Sequence, residues 1–321
     1  MQQRACPPNY KAPAKYAWMD GEIIPYDDAK IHVRAIVIQH GANVFEGIKA
    51  YWNQKEEELY ILKLSEHMDR LFQSMKMTRM AIPFSKDELC EASIELLAEN
   101  EFKEDVHFRP TSYVGLGDTY TVDPDAVYMG HFITAVPRPA PASLKTGYHC
   151  CISSWERISD RVMPPRIKAA GNYLNSRLAA LQAKVDGYDY PILLNHEGRV
   201  TEGPAACLLM VRNGKVISPS ITSNILESIT RKTLLQLVRA ELGIETVERE
   251  VDRTELYIAD EIFFCGTRRE VTPVVSVDRI AVGDGNPGPL TLKIQDMYFD
   301  IARGKVPKYK SWLTPVYGRK R

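Results

Sequence analysis

Prolines at 137, 139 and 141 interrupt this 321-residue chain within Val136-Pro137-Arg138-Pro139-Ala140-Pro141-Ala142-Ser143. Each one locks its own φ and lacks a backbone donor, so the segment fits neither a helix nor a central strand and reads as a stiff, extended connector. The chain therefore divides into a small N-terminal domain (1–135), a linker (136–147) and a larger C-terminal domain (148–321). A prior of about 150 residues per domain leads to the same number.

Local patterns fill in both parts. Tyr16 to Met19 and Glu22 to Pro25 flank Asp20-Gly21, a pair suited to the two positive-φ positions of a type I′ hairpin. Strands are expected over Asn43 to Trp52 and Tyr60 to Leu64, then a helix capped by Ser65 that presents Met68, Leu71, Phe72 and Met75 on one face. Ser85-Lys86-Asp87-Glu88 is a capping box for a second helix ending near Asn100, and β-rich segments His107 to Val114 and Ala126 to Val136 follow. Beyond the linker, strands Tyr148 to Ser154, Tyr190 to Asn195 and Glu261 to Cys265 alternate with helices over Asn172 to Val185, Ile229 to Leu242 and Pro289 to Ala302. In the first of these helices Leu174, Leu178, Leu181 and Val185 fall on one side. Asn213-Gly214 marks another hairpin, and Gly243 stops the Ile229 helix. The fold class is α/β in the broad sense (α+β).

Composition removes several functions. Lys plus Arg number 41 and so do Asp plus Glu, which leaves no cationic excess for nucleic acid or an anionic membrane surface. The longest apolar run, Ala205 to Val211, is far short of the roughly 20 residues that a membrane crossing needs. Met1-Gln2-Gln3-Arg4-Ala5-Cys6-Pro7-Pro8 has no apolar core for a secretory signal, so the expected location is cytoplasmic. Cysteines at 6, 90, 150, 151, 207 and 265 form no C-x-x-C pair and read as reduced, buried thiols; with scattered histidines, no metal site is expected. Dinucleotide, P-loop, zincin and α/β-hydrolase motifs are all missing.

Three places carry possible chemistry. Lys168, followed by Ala169-Ala170-Gly171, leaves room beside its amine for something bulky just ahead of an amphipathic helix, as Schiff-base chemistry needs. Glu202, at a strand end before Gly203-Pro204 and an apolar run, can face inward, where it needs a cationic partner. Ser228-Ile229-Thr230 opens a helix whose free N–H groups and hydroxyl form a phosphate seat, and Gly266-Thr267 offers a similar pair at a strand end. Singly, each is matched by an ordinary reading as a surface lysine, a turn acid or a helix cap.

Read in order, these stretches resemble the branched-chain aminotransferases, class IV aminotransferases of the fold-type IV pyridoxal-5′-phosphate (PLP) group. The matching blocks are Trp18-Met19-Asp20-Gly21-Glu22, Asp28 to Val33, Val44-Phe45-Glu46-Gly47-Ile48-Lys49-Ala50-Tyr51, Glu66 to Leu71, Phe108-Arg109-Pro110, Lys168 to Leu174, Glu202-Gly203, Gly266-Thr267 and Glu270 to Val274. The resemblance implies PLP as cofactor, bonded covalently to the catalytic Lys168. It also implies Tyr173 at the phenolic oxygen, Glu202 at the pyridine nitrogen, and Arg70, Ile229, Thr230 and Thr267 at the phosphate. Phe45, Gly47, His40, Lys49, His107, Arg109, Thr267 and Arg268 would meet the substrate. The implied reaction moves an amino group between an amino donor and a 2-oxo acid by ping-pong kinetics, in a homodimer or higher homo-oligomer.

The substrate half departs from the family pattern. His40 stands where a tyrosine is common, Lys49 where an arginine is, His107 for a tyrosine, Cys207 for an asparagine, and Arg268-Arg269 for two small residues. The expected substrate is a branched-chain or related hydrophobic L-amino acid, with an altered preference if Arg268 and Arg269 enter the pocket and an apolar pocket if they point to solvent; D-amino-acid or (R)-amine transaminase, aminodeoxychorismate lyase, or an idle PLP-binding dimer are the alternatives.

Overall fold

The computed structural model describes residues 11–117 and 126–318; Met1 to Pro8, including Cys6, lie outside them. The chain opens with β1 (Tyr16–Met19) and β2 (Glu22–Pro25), then α1 (Ile36–His40), β3 (Asn43–Phe45), β4 (Ile48–Asn53) and β5 (Glu58–Leu62). Helices α2 (Leu64–Met77) and α3 (Lys86–Glu99) lead to the long strands β6 (Val106–Gly117) and β7 (Val127–Pro137). After the connector come α4 (Ser143–Thr146), β8 (Tyr148–Ile152), α5 (Tyr173–Val185), β9 (Tyr190–Ile192), β10 (Glu202–Gly203), β11 (Ala206–Arg212) and β12 (Lys215–Pro219). The remainder is α6 (Ile229–Leu242), β13 (Thr246–Arg249), β14 (Glu261–Gly266), β15 (Glu270–Val277), β16 (Ile280–Ala281), α7 (Pro289–Ala302) and β17 (Leu313–Pro315).

Two sheets result. The first is antiparallel, in the order β17-β5-β4-β6-β7-β1-β2 with β3 also on β6. The second is mixed, in the order β13-β12-β11-β14-β15-β8-β9, with β10 on β11 and β16 on β15. Strand β17 carries the chain back onto β5, so the first sheet takes a strand from the far end of the sequence.

Local chemistry explains most element ends. Asp20 and Gly21 take φ of 50° and 106° in the first hairpin, and the Asp20 carboxylate accepts from the His131 backbone N–H at 2.7 Å, tying that turn to β7. Ser85 and Glu88 make the reciprocal capping box that opens α3. Gly243 ends α6 in the left-handed conformation. The apolar run in β11 is buried on both sides: Cys207, Leu209 and Val211 pack toward α6 and α7, while Leu208 and Met210 enter the core beneath. A strand covered on both faces has no polar alternation to show.

Three sequence expectations are corrected. Helix α2 begins at Leu64, with Lys63 at φ 58° as its boundary, so Ser65 lies inside the first turn rather than capping it. The expected strand Asn43 to Trp52 breaks at Glu46-Gly47, because Glu46 turns inward to the Arg70 guanidinium and the His67 ring instead of continuing the ladder. In α5 the leucine side is not the buried one. Leu174, Leu181 and Val185 are 63 %, 45 % and 82 % exposed, whereas Ser176, Ala179 and Ala183 are buried, small side chains that let the helix approach the sheet closely.

Candidate active site

A cavity of about 210 Å³ opens between the two sheets. Its lining brings together Lys168, Tyr173, Glu202, Arg70, Ile229, Thr230 and Thr267 with Phe45, Gly47, His107, Arg109 and Arg268. His40 and Lys49 are not in it: His40 is exposed at the end of α1, and the Lys49 ammonium is buried on Glu270.

Lys168 is placed by the backbone around it. Its carbonyl accepts from Phe45 N–H at 2.9 Å, its N–H donates to Ser74 Oγ at 3.3 Å, and Ala169 bridges to Val44. Its neighbours Ile167 and Ala169 pack against the first core, which leaves the lysine side chain to the cavity. The Asn172 amide braces the approach by donating to the carbonyls of Pro164 and Ile167. Lys168 Nζ donates to the Tyr173 hydroxyl at 3.2 Å and lies 5.4 Å from the Phe45 ring centre.

Glu202 forms the opposite wall. It is buried at the start of β10 and ion-paired with Arg157 at 2.8 Å; Arg157 comes from the loop after β8 and also lines the cavity. Sequence reading missed Arg157, because nothing in Trp155-Glu156-Arg157-Ile158 distinguishes it and only the fold carries it 45 residues along to Glu202.

A third wall is electropositive. The Ile229 and Thr230 amides are in the first turn of α6, where no intrahelical acceptor exists, and Ser228 caps that turn by accepting from Arg231 N–H at 3.2 Å. Arg70 approaches alongside, held by Glu46 through Nε at 2.6 Å and Nη2 at 2.7 Å, with Nη1 on the Glu227 carbonyl at 2.8 Å. Burial alone would raise the Glu46 carboxyl, but the Arg70 charge and the bonds from His67 and Arg70 hold it well below the usual carboxylate range. The same burial lowers His67, whose ring nitrogen is 2.8 Å from Glu46. Arg70 keeps two N–H groups beyond these three bonds.

The mouth carries unneutralised cations. The Arg109 guanidinium sits 3.5 Å from the Phe45 ring centre, and Arg268 projects from the turn after β14; burial and neighbouring arginines lower both, and no carboxylate opposes them among the described residues. Arg269 turns the other way, donating to the Tyr148 hydroxyl at 2.5 Å and lying over the Tyr190 ring. His107 is pushed down to about 3 by burial, then by Arg268, Arg109 and Arg138, so its imidazole is neutral. A Cβ on Gly47 would lie 2.9 Å from His107 Nε2, so glycine is what admits the ring.

The chain that brings amine, phenol, buried carboxylate and helix-terminal anion seat into one cavity is similar over nearly its whole length to known proteins. The family profile described as amino-transferase class IV matches residues 43–277. A probable branched-chain-amino-acid aminotransferase of Aquifex aeolicus is 42 % identical over 311 residues, covering 95 % of this chain and 97 % of that protein. The PLP-form crystal structure of branched-chain amino acid aminotransferase from Thermobaculum terrenum superposes with a TM-score of 0.91 at 44 % identity, covering 95 % of this chain and 99 % of that one. The branched-chain aminotransferase of Thermoproteus uzoniensis, crystallised with norvaline, gives 0.89 at 39 % identity, over 95 % and 100 % of the two chains.

The chain belongs to the class IV aminotransferases and, within them, to the branched-chain aminotransferase family. It is a transaminase of a family that works with PLP. The residues present fit that group: an anion seat at one end, Glu202 at the other, an amine between them, and a buried Arg157 Nη1 with no partner on the cavity wall.

Proposed function

We propose that this chain transfers an amino group between a branched-chain or related hydrophobic L-amino acid and a 2-oxo acid, with Lys168 as the catalytic residue. The observation that carries the reading is the placement of the Lys168 amine 3.2 Å from the Tyr173 hydroxyl, in the same cavity as buried Glu202 and the first turn of α6. Bound PLP supplies an electron sink for the pair left when a substrate Cα–H bond breaks. Ile229, Thr230, Thr267 and Arg70 hold its phosphate, Tyr173 orients its phenolic oxygen, and Glu202 keeps a proton on its ring nitrogen. The Lys168 amine would take the proton from the substrate Cα and return a proton to the carbon two bonds away across the amino nitrogen, acting first as base and then as acid.

Phe45 and the neutral His107 give the substrate side an uncharged wall, while Arg109 and Arg268 add two unpaired guanidiniums at its mouth. That pairing favours a hydrophobic partner and an acidic partner in alternate half-reactions, and Arg268 makes the preference for the acidic one stronger. A panel of L-, D- and achiral donors read by the cofactor's absorption tests the reading: bleaching by L-branched-chain donors supports it, and bleaching by D-donors or (R)-amines alone overturns it.

The exposed stripe of Leu174, Leu181 and Val185 supports a homodimer or higher homo-oligomer. The free thiols of Cys90, Cys150, Cys151, Cys207 and Cys265 support a reducing, cytoplasmic setting, and among the described residues no helix is long and apolar enough to cross a membrane. Two domains meeting at 136–147 are the frame we propose, with 313–315 returning to the first sheet.

A further inference from the structure

The two oxygens of Glu202 are not equivalent. Oε1 accepts from Arg157 Nε at 3.1 Å, from the Leu226 backbone N–H at 3.1 Å, and lies 2.8 Å from Arg157 Nη2. Oε2 has only the Cys207 thiol, 3.4 Å away and itself shared with the Leu226 carbonyl at 3.5 Å. A carboxylate oxygen has about two lone-pair sites, so Oε1 is saturated by strong donors while Oε2 has only a weak S–H donor. Both side chains are buried, Arg157 at 8 % and Glu202 at 5 % exposure, and a buried carboxylate keeps its charge only with a partner.

We propose that Arg157 is a positioning residue which engages Glu202 Oε1 so that Oε2 alone is presented to the cofactor's ring nitrogen. The proposal rests on the reading of Glu202 as the partner of that nitrogen. Arg157 locks the carboxylate against rotation, and it cancels the pair's net charge, so the ring proton is held by one directed oxygen rather than by a general negative field. Cys207 is a thiol throughout, since burial and then Glu202 push it well above its ordinary range, and it competes only weakly for Oε2. A stronger donor there, such as the amide of an asparagine, would share that oxygen.

The test uses holoenzyme, PLP as the probe, and four proteins: wild type, R157M, E202Q and the double variant. Cofactor dissociation constants come from equilibrium dialysis, and the pH dependence of the visible band is recorded alongside. R157M is expected to weaken PLP binding at least 10-fold and to shift the band's titration, with R157K intermediate. In the E202Q background, R157M is expected to change neither by more than twofold, because its effect passes through the carboxylate. Equal losses in both backgrounds, or unchanged binding and titration in R157M, overturn the proposal. If R157M does not fold, R157K decides: binding 3-fold or more weaker, with the band shifted, supports the proposal, and wild-type behaviour overturns it. If E202Q itself binds PLP with wild-type affinity and titration, it is the assignment of Glu202 that fails, a result distinct from the failure of Arg157.

Discussion

The Lys49 ammonium lies 2.5 Å from Glu270 Oε1, with both side chains buried, and joins β4 of the first sheet to the first residue of β15 in the second. Glu270 holds a positive φ of 54° and pairs with Gly266 across the turn that carries Thr267 and Arg268. The lysine therefore works one layer behind the cavity, where it anchors this turn.

Replacing Lys49 by Met leaves Glu270 buried without its cation, which typically costs about 3–5 kcal/mol. Burial already raises the Glu270 carboxyl despite Lys49, and losing the lysine raises it further. An acid with a raised folded pKa loses stability as pH rises above its unfolded range. K49M should thus unfold at lower denaturant than wild type at neutral pH, with the gap narrowing toward pH 5; a pH-independent gap in urea titrations would contradict this.

Glu46 gives the opposite sign. Its folded pKa is depressed, so its contribution is present above the ordinary carboxylate range and fades as pH falls through that range and below. E46Q is expected to be less stable than wild type at pH 7 by about 3 kcal/mol, the two converging in acid. Because Glu46 also aims Arg70, E46Q should weaken PLP binding, as measured by dialysis.

On the proposed reaction, Lys168→Ala would remove the general base and the covalent link together. Turnover should fall by about 10²–10⁴-fold or more. Borohydride treatment of wild-type holoenzyme should add cofactor mass to the peptide containing Lys168, and K168A should show no such adduct by mass spectrometry.

Arg268→Ala removes one of two unpaired cations at the mouth. KM for a dicarboxylic 2-oxo acid is expected to rise about 10-fold, while KM for a branched-chain 2-oxo acid changes less than twofold. Equal changes for both would show that Arg268 does not discriminate between them.

Gly47→Ala places a Cβ 2.9 Å from His107 Nε2, so the ring must shift. Substrate KM should rise several-fold with the cofactor band retained; a wild-type KM would show that His107 does not shape the substrate side.

The elements read best from sequence are those whose reasons are local. Asp20-Gly21 and Asn213-Gly214 adopt the positive φ their hairpins need, the Ser85 capping box forms, and Pro289 to Ala302 is a helix over its full expected span. Errors fall where a distant group competes with the local pattern. Glu46 breaks a strand because Arg70 and His67 lie across from it, and α5 turns its leucines outward because small residues pack closer to the sheet. Family blocks pointed to Lys168, Tyr173 and Glu202, and the fold brings all three to one cavity. Position in a motif did not separate Lys49, spent on Glu270, from Arg268, which reaches the mouth.

By itself the sequence determined the Asp20-Gly21 and Asn213-Gly214 turns, the Ser85 and Gly243 caps and the helix from Pro289 to Ala302, because each depends on residues within a few positions of one another. Only the tertiary structure decided the return of β17 to the first sheet, the Lys49–Glu270 anchor, and the engagement of Glu202 Oε1 by Arg157. These depend on which strands lie side by side, and a buried charge takes whatever partner the sheet order delivers within hydrogen-bond reach.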